Sequence, residues 1–367
     1  MTRPTGILVV GGYGVVGRRI AAHLAAEFPG RVLIAGRDEQ RAAAVSVEIG
    51  EGTKPRRVDV NDPPTIERAL DGVGTIISCV AQREMHLLRA SIGHGLAYTD
   101  VAPRLAFWEG AEKLSHEARK SGARIVLGAG LSPGISNMMA AQLAKTLGRV
   151  ERLETAILLS LGDEYGPDSL KHFVDALMQA YTVLEDGERR EALPFSEAER
   201  MLFPEPLGLR IAYLFPWSDV VYYPKSLGAR TALGRLALDP PWVGRLASLL
   251  VRAGARSWLR RRSFFEGNRR FIDRLKRCYA NHDAFGLVVT AENAGHIVRM
   301  SLAGRHQADV TAAGAAELTR ALAAEEIGEP GVWLPEQVIS YQGFFDAIGS
   351  MGWEPSVEEV SRPAEHF

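Results

Sequence analysis

The stretch Ile-Leu-Val-Val-Gly-Gly-Tyr-Gly-Val-Val-Gly, residues 7–17, decides the fold of the N-terminal part of this chain. Four consecutive apolar residues, Ile7 to Val10, are typical of a buried strand in a parallel sheet. The glycines that follow match the pattern G-x-G-x-x-G, and apolar residues then recur at helical spacing through residues 15–28. A strand, a glycine-rich turn and a helix in this order are the context that makes the pattern specific for phosphate binding.

The three glycines of the pattern each answer a physical requirement. Gly12 permits the tight turn, Gly14 lets the backbone approach a pyrophosphate, and Gly17 allows the helix to pack closely on the strand. The helix N-terminus offers free N–H groups and a partial positive charge to the phosphates. We therefore predict that a dinucleotide binds here rather than that the turn is bare architecture, and the residues concerned are Gly12, Tyr13, Gly14, Val15, Val16 and Gly17.

Strands and helices are predicted to alternate from this turn to residue 128. The further strands are expected at 31–35, 57–60, 75–80, 97–101 and 124–128, and the helices between them at 38–49, 64–71, 84–95 and 106–121. This alternation predicts an α/β fold with a Rossmann-type, doubly wound parallel sheet covered on both faces. Beyond it, strands at 153–161, 286–289 and 295–302, separated by longer helical stretches, predict a second, α+β domain.

Length and composition limit the remaining possibilities. A chain of 367 residues is expected to hold two or three domains, and its net charge of −1 gives no electrostatic case for nucleic acid. The two cysteines, Cys79 and Cys278, show no metal-like spacing and suit a reducing compartment. We find neither a signal peptide nor an apolar run long enough to span a membrane. A cytoplasmic protein without a metal site is expected.

The end of the second predicted strand bears on the cofactor. An NAD site usually places an acid there for the ribose 2′-hydroxyl, but Ala35 and Gly36 fill that position. Arg37 follows at once, and Arg41 lies one helical turn later, where a guanidinium can pair with a 2′-phosphate. Asp38 can either bind a 2′-hydroxyl or cap the next helix, and the cap is favoured. We predict NADP as the cofactor, with NAD as the alternative.

Two more strand ends lie on the predicted cofactor side of the sheet. Asp59, at the end of the third strand, can accept a hydrogen bond from the adenine amino group or can cap a turn with Asn61. Cys79 and Val80 end the fourth strand, where the nicotinamide half of the cofactor normally runs. Because no His or Lys adjoins Cys79 in sequence, we interpret its thiol as packing rather than as a nucleophile.

At this point the sequence resembles the saccharopine dehydrogenase-like oxidoreductases over residues 6–140. The matching features are the glycine turn, Ala35-Gly36-Arg37, Val58-Asp59-Val60, Ser78-Cys79-Val80, Tyr98-Thr99-Asp100-Val101 and the small-residue turn 128–134. The resemblance implies hydride transfer, a two-domain layout and a late helix, here residues 335–350, that returns to the first domain. It does not fix the substrate, since relatives act on carbon–nitrogen bonds of amino acids and polyamines, and distant ones on lipid-linked substrates.

These features together predict three segments. Residues 1–130 form the dinucleotide-binding domain, and residues 131–334 form an α+β domain for substrate, catalysis and dimerisation. Residues 335–367 form the C-terminal segment. A homodimer is expected because it is the common outcome for such enzymes.

Hydride transfer needs a proton donor or acceptor near the nicotinamide, and several residues are candidates. Asp100 ends a sheet strand, where open α/β sheets bind ligands, although it can also cap the next segment. His172, with Lys171 beside it, is the best acid–base pair of the second domain. His282 and His296 are weaker candidates. Tyr98 is expected to be half-buried packing, whereas Ser132 and Asn137 lie near the predicted domain junction.

A basic stretch, residues 245–277, carries eleven Arg or Lys against two acids, with apolar residues interleaved. The favoured interpretation is a solvated helix pair whose apolar face packs in the domain or in a dimer contact. The alternative is a surface for an anionic partner, such as a membrane, an acyl-carrier protein or a phosphorylated substrate. The hypothesis that follows is an NADP-dependent oxidoreductase acting on a C=N or C=O group of a small amine-bearing substrate. The alternatives are a reductase of lipid-linked or carrier-linked substrates and a non-catalytic NADP-binding sensor or scaffold.

Overall fold

The structure is a computed structural model that describes residues 5–82, 84–101, 105–165, 176, 179–254, 278–279 and 282–360. The chain forms two compact units. The first unit contains Met1–Met138 and Ala308–Gly352, and the second contains Met139–Gln307 and Trp353–Phe367. This division differs from the boundaries expected at residues 130 and 334, because 308–334 also belong to the first unit.

The first unit is built on a parallel sheet. Its strands are β1 (Gly6–Val10), β2 (Val32–Gly36), β3 (Lys54–Arg57), β4 (Val73–Ser78), β5 (Ala97–Asp100), β6 (Arg124–Leu127) and, late in the chain, β15 (Gly331–Trp333). Their order is β3-β2-β1-β4-β5-β6-β15, and all neighbouring pairs are parallel. The strand order reverses between β1 and β4, which is the point where such sheets bind ligands beyond their carboxyl ends. The predicted Rossmann-type sheet is therefore confirmed.

Helices connect the strands of this sheet. They are α1 (Val15–Glu27), α2 (Glu39–Ile49), α3 (Pro63–Ala69), α4 (His86–Gly93), α5 (Leu105–Glu112), α6 (Ser115–Ser121) and α7 (Ile135–Leu147), followed late in the chain by α10 (Gln307–Ala323), α11 (Pro335–Val338) and α12 (Tyr341–Ser350). Two expectations were wrong in detail: β3 ends at Arg57 rather than at residue 60, and the helix expected at 106–121 is divided into α5 and α6.

The late helix α10 is an integral part of the first unit. Its alanine-rich face packs in the same buried cluster as Ile20 and Leu24 of α1 and Ile34 of β2. On the outside, the Arg19 side chain of α1 donates to the Asp309 carboxylate of α10. Small side chains let α10 approach α1 closely, and this burial assigns residues 308–334 to the first unit.

The second unit contains a nine-stranded mixed sheet. Its strands are β7 (Arg152–Ser160), β8 (Tyr181–Glu185), β9 (Glu188–Ala192), β10 (Ala198–Phe203), β11 (Gly208–Leu214), β12 (Thr231–Asp239), β13 (Ala284–Asn293), β14 (His296–Arg305) and β16 (Ser356–Val360). The order is β10-β11-β12-β7-β13-β14-β16, with β8 paired to β12 and β9. The pair β7–β12 is parallel, and the other pairs are antiparallel. Among the residues that the structure describes, α8 (Tyr223–Ser226) and α9 (Pro241–Arg252) accompany this sheet.

The α+β class of the second unit was predicted, but six of its nine strands, β8 to β12 and β16, were not. Residues 181–214 hold β8 to β11, where longer helical stretches were expected. Strands such as Glu188–Ala192 are rich in Glu, Arg and Ala, which are good helix formers, and their partial exposure hides an alternating pattern. The turn Asp186-Gly187, with both φ angles positive at 52° and 87°, is the hairpin signal that was available in the sequence.

Candidate functional site

The glycine turn joins β1 to α1 at the carboxyl edge of the first sheet. A Cβ on Gly12 would lie 2.8 Å from the Val9 carbonyl oxygen, and one on Gly17 would lie 2.3 Å from the Gly11 carbonyl oxygen. Both distances are shorter than any real Cβ contact, so the turn and the close packing of α1 require glycine at these positions. The predicted roles of Gly12 and Gly17 therefore have a direct geometric basis.

Gly14 differs from the other two glycines because its surroundings are open. A Cβ there would meet only the Gly11 carbonyl oxygen, at 3.1 Å, and the residue is exposed. Gly14 is the N-cap of α1, no side chain caps the helix, and its first turn, with Val15 and Val16, carries no acid. The uncapped N–H groups and the helix dipole fit a pyrophosphate, so the residues present suit the dinucleotide that the sequence predicts.

The end of β2 is organised by the Tyr13 side chain. Its ring fills the space above Gly36, where a Cβ would lie 2.3 Å from Tyr13 Cε1. The Arg41 guanidinium carbon lies 4.6 Å from the centre of the same ring, and the backbone N–H of Asp38 donates to the Tyr13 hydroxyl at 3.4 Å. Arg37 is exposed immediately after the strand. The Arg41 guanidinium therefore lies beside the end of β2, where a 2′-phosphate is expected, and Arg37 is the residue that follows this strand.

Asp38 is the N-cap of α2, as favoured from the sequence. Its Oδ1 accepts a hydrogen bond from the backbone N–H of Arg41 at 3.1 Å. This bond commits one carboxylate oxygen to the helix and leaves the ribose-binding role of Asp38 a prediction.

Asp59 lies two residues past the end of β3, in the turn that leads to α3. Its Oδ1 accepts from the backbone N–H of Asn61 at 3.0 Å and from the Asn61 amide at 3.3 Å. Its backbone N–H donates to the Thr65 hydroxyl at 3.0 Å. The turn-capping role is thus present in the structure, and adenine recognition by the same side chain stays a prediction.

The end of β4 carries Cys79 and Val80. The Cys79 backbone N–H donates to the Val10 carbonyl at 2.8 Å, which continues the pairing of β4 with β1. Burial, and after it the nearby Asp100 charge, raise the pKa of the Cys79 thiol to about 12. Val80 lies against Gly11, where a Cβ would be 2.6 Å from Val80 Cγ1. These contacts support the interpretation of Cys79 as packing rather than as a nucleophile.

Asp100 is the last residue of β5 and is buried, with 4% of its surface exposed. Its Oδ1 accepts from the backbone N–H of Gly128 at 3.0 Å. Burial raises the pKa of Asp100 from 3.8 to about 7, and the hydrogen bond from Gly128 opposes the rise. A carboxyl group with this pKa exchanges its proton near neutral pH, as an acid–base group requires. The capping role at Pro103 lies outside the described residues.

A polar network that the sequence reasoning missed lies beside Asp100. The Gln82 amide donates to the Tyr98 hydroxyl at 2.8 Å and to the Ser78 hydroxyl at 3.3 Å. Tyr98 is fully buried rather than half-buried, and its pKa is raised well above its ordinary value by burial and by Asp100. Gln82 lies in a loop without periodicity, so only the position of Ser78 at a strand end gave a signal.

The small-residue turn 128–134 follows β6 and is closely packed. A Cβ on Gly128 would lie 2.7 Å from Trp108, and one on Gly130 would lie 2.4 Å from the Val101 carbonyl oxygen. Asn137 Oδ1 accepts from the Gly134 backbone N–H at 3.0 Å. This turn places the Gly128 N–H against Asp100, and contact of Ser132 or Asn137 with ligand stays a prediction.

The acid–base candidates of the second unit are not brought together within the residues that the structure describes. Lys171 and His172 lie outside the described residues, as does most of the basic stretch after residue 254. His282 pairs through Nδ1 with the Asp239 carboxylate at 2.7 Å, and His296 is exposed at the start of β14. Among the described residues, no group of three His, Cys, Asp or Glu side chains could hold a metal ion. No helix within the same ranges is long and apolar enough to cross a membrane.

Comparison with known proteins finds a family model that matches part of the first unit. The family described as saccharopine dehydrogenase NADP binding domain matches residues 7–126. Comparison with curated proteins found no match. The apo saccharopine dehydrogenase (L-Glu forming) of Saccharomyces cerevisiae is 14% identical, with a TM-score of 0.71 over 97% of this chain and 100% of that chain. GenD2 from gentamicin A biosynthesis, in complex with NAD, is also 14% identical, with a TM-score of 0.46 over 98% and 97%.

Proposed function

We propose that this NAD(P)-dependent oxidoreductase, a saccharopine dehydrogenase-like protein with an NADP binding domain at residues 7–126, acts on a small amine-bearing substrate. The reaction is transfer of hydride to or from a C=N or C=O group. NADP is the cofactor, and NAD is the alternative. The single observation that carries the proposal is the buried carboxyl of Asp100 at the end of β5, with its pKa raised to about 7.

The nicotinamide supplies the hydride, and the chain must manage the accompanying proton. In the reductive direction Asp100 is neutral and donates its proton to the substrate nitrogen or oxygen as the hydride adds to carbon. Asp100 is then a carboxylate, stabilised by the N–H of Gly128, until it regains a proton from solvent. In the oxidative direction the same carboxylate accepts the proton.

The neighbouring residues keep this carboxyl group in place. Asp100 lies in register with Ser78 of β4 and Leu127 of β6, so both of its flanks are fixed by the sheet. The Gln82 amide donates to the hydroxyls of Tyr98 and Ser78, and Ser78 lies opposite Asp100 on the neighbouring strand. A group held on strands in this way keeps a constant geometry toward a substrate.

Asp100→Asn tests the proton role. The variant keeps an oxygen that can accept from Gly128, but it cannot donate the acidic proton. We expect turnover to fall by about 10² to 10⁴, the usual contribution of an acid–base group, with NADPH affinity little changed. Asp71→Asn is the matched control because Asp71 is exposed before β4, away from the carboxyl edge. Unchanged turnover in Asp100→Asn would remove this residue from the mechanism, and His172 would become the leading candidate.

A second candidate function, reduction of a lipid-linked substrate, is favoured by one observation. Helix α9 exposes Trp242, Leu246 and Leu249 by 40%, 46% and 65%, at the spacing of one helical face. Its opposite face is fixed, since the Ser248 hydroxyl donates to the Phe195 carbonyl at 2.8 Å. An apolar face with a Trp is typical of helices that lie in a membrane interface.

The positive charge of α9 favours an anionic partner. The helix carries Arg245 and Arg252 and no acidic residue, so like charge disfavours its contact with a second copy of itself. An anionic phospholipid surface is complementary both to the arginines and to the apolar face. The surface of an acidic acyl-carrier protein is the competing partner.

Vesicle flotation of the full-length protein separates these readings. We expect binding to vesicles that contain phosphatidylglycerol, weaker binding to phosphatidylcholine alone, and loss of binding in Leu246→Ser with Leu249→Ser. The matched control is Leu202→Ser with Leu209→Ser, since that cross-strand pair is exposed by 49% and 57% in the same unit. Absence of flotation in the wild-type protein would overturn the membrane reading, as would equal loss in both double variants.

The remaining expectations stay predictions. They are a cytoplasmic location and a homodimer. The non-catalytic sensor or scaffold requires that bound NADPH transfers no hydride, which turnover assays test directly.

A further inference from the structure

We propose that Tyr13 is the positioning residue that sets the preference of this protein for a 2′-phosphorylated cofactor. Tyr13 acts by holding the Arg41 guanidinium ready for the phosphate. The proposal rests on NADP binding by the first unit and concerns how the chain distinguishes NADP from NAD.

The first observation is the position of the Tyr13 ring. It occupies the space over Gly36, the last residue of β2, where any Cβ would lie 2.3 to 2.7 Å from two ring carbons and the hydroxyl oxygen of Tyr13. Gly36 is therefore required because the ring is there. The hydroxyl accepts from the Asp38 backbone N–H at 3.4 Å, so the ring is held at both its face and its tip.

The second observation is the Arg41 guanidinium on this ring. Its carbon lies 4.6 Å from the ring centre, within the range of a cation–π contact. The Arg41 backbone N–H is bonded to the Asp38 carboxylate, so main chain and side chain are both restrained. Arg37 is exposed, and its guanidinium makes no hydrogen bond, ion pair or ring contact with the residues that the structure describes.

A restrained arginine binds phosphate at a lower entropic cost than a free one. A long side chain loses rotamer freedom when it is immobilised, and this loss reduces affinity. Arg41 has lost much of that freedom before the cofactor arrives, whereas Arg37 has not. The planar guanidinium on the ring keeps its edge N–H donors available for the phosphate oxygens.

Asp38 bears on the same preference, because an acid at this position can favour NAD. An unengaged acid after β2 would favour the ribose 2′-hydroxyl and repel a 2′-phosphate. Here one oxygen of Asp38 caps α2, and its backbone N–H donates to Tyr13. The same contacts that restrain Arg41 therefore hold the carboxylate at the helix start. Tyr13 and Asp38 together hold the Arg41 guanidinium at the end of β2, on the side where the 2′-phosphate would bind.

Calorimetric titration of the full-length protein with 2′,5′-ADP and, separately, 5′-AMP tests the proposal without turnover. The ratio of the two affinities isolates the contribution of the 2′-phosphate. We expect Arg41→Ala to lower this ratio about ten- to hundredfold, as for loss of a hydrogen bond to a charged group. Tyr13→Leu should lower it about two- to fivefold, the value of an exposed cation–π contact. Tyr13→Phe, which keeps the ring, should preserve most of it.

A double-mutant cycle separates positioning from general damage. If Tyr13 acts through Arg41, Tyr13→Leu will not change the ratio further in the Arg41→Ala background. Arg31→Ala is the matched control, since Arg31 lies 4.6 Å from the Phe28 ring before β2 begins, at the opposite edge of the sheet. An unchanged ratio in Tyr13→Leu, or the same change with and without Arg41, would overturn the proposal. If the wild-type protein bound neither nucleotide, the assignment of the cofactor site itself would be wrong.

Discussion

Replacement of Asp100 by asparagine should stabilise the folded protein at neutral and alkaline pH. The carboxyl group is buried at the end of β5, and burial raises its pKa from 3.8 to about 7. A carboxylate that forms above that pH is therefore held in an unfavourable environment. Asparagine is nearly the same size, keeps an oxygen for the Gly128 N–H and carries no charge.

The magnitude follows from the linkage between pKa and stability. Because the folded-state pKa is the higher one, the folded protein binds more protons between about pH 4 and pH 7, and its stability falls as the pH rises through that window. At 1.36 kcal/mol per pKa unit, the carboxylate costs about 4 kcal/mol at pH 8. Between pH 5 and pH 8 the advantage of the variant should grow by about 2 to 3 kcal/mol.

Urea unfolding of the wild-type protein and of Asp100→Asn at pH 5 and pH 8 measures this difference. The relevant quantity is the change with pH in the difference between the two free energies of unfolding. Asp71→Asn, at an exposed position, should show almost none. A difference between Asp100→Asn and the wild-type protein that is the same at both pH values would refute the reasoning, because the carboxyl group would then titrate as it does in the unfolded chain.

Three further predictions follow from the site. Gly17→Ala should destabilise the protein by about 1 to 3 kcal/mol and weaken NADPH binding, because the new Cβ would lie 2.3 Å from the Gly11 carbonyl oxygen. Thermal unfolding and a fluorescence titration measure the two effects, and wild-type values for both would contradict the packing argument. Cys79, with a pKa of about 12, should resist iodoacetamide at pH 8 in the native protein while the exposed Cys278 reacts. Peptide mapping that finds Cys79 labelled first would contradict the raised pKa of its thiol. Asp38→Ala should cost about 1 kcal/mol by removing the cap of α2, and unchanged urea stability would argue against the cap.

Local chemistry made the cofactor side of the fold predictable. The glycine turn, the strand before it and the Asp38 cap each depend on residues that are close together in sequence. Their patterns can therefore be recognised in a single sequence. Asp100 was located for the same reason, since a polar residue at the end of a parallel strand marks the carboxyl edge.

Long-range contacts set the properties that the sequence did not reveal. The pKa of Asp100 depends on its burial and on Gly128, 28 residues later in the chain. The Gln82 amide donates to the Tyr98 hydroxyl from an irregular loop, and no sequence pattern predicts this contact. Strand β15 has only three residues, too few for any periodicity, although it pairs with β6 at the edge of the first sheet. Helix α10 is identified as part of the first unit only by the side chains among which it packs.

The most direct test of hydride transfer by this protein is to follow a labelled hydride from NADPH to the product. The purified protein would be incubated with NADPH deuterated at C4 of the nicotinamide and with a panel of aldehydes and 2-oxo acids, each paired with a primary amine. Mass spectrometry would then follow the label. We expect deuterium on the carbon of a new amine or alcohol, together with oxidation of NADPH. The rate of label transfer should fall in Asp100→Asn. Tight NADPH binding with no label transferred to any product would contradict it and would favour a non-catalytic sensor or scaffold.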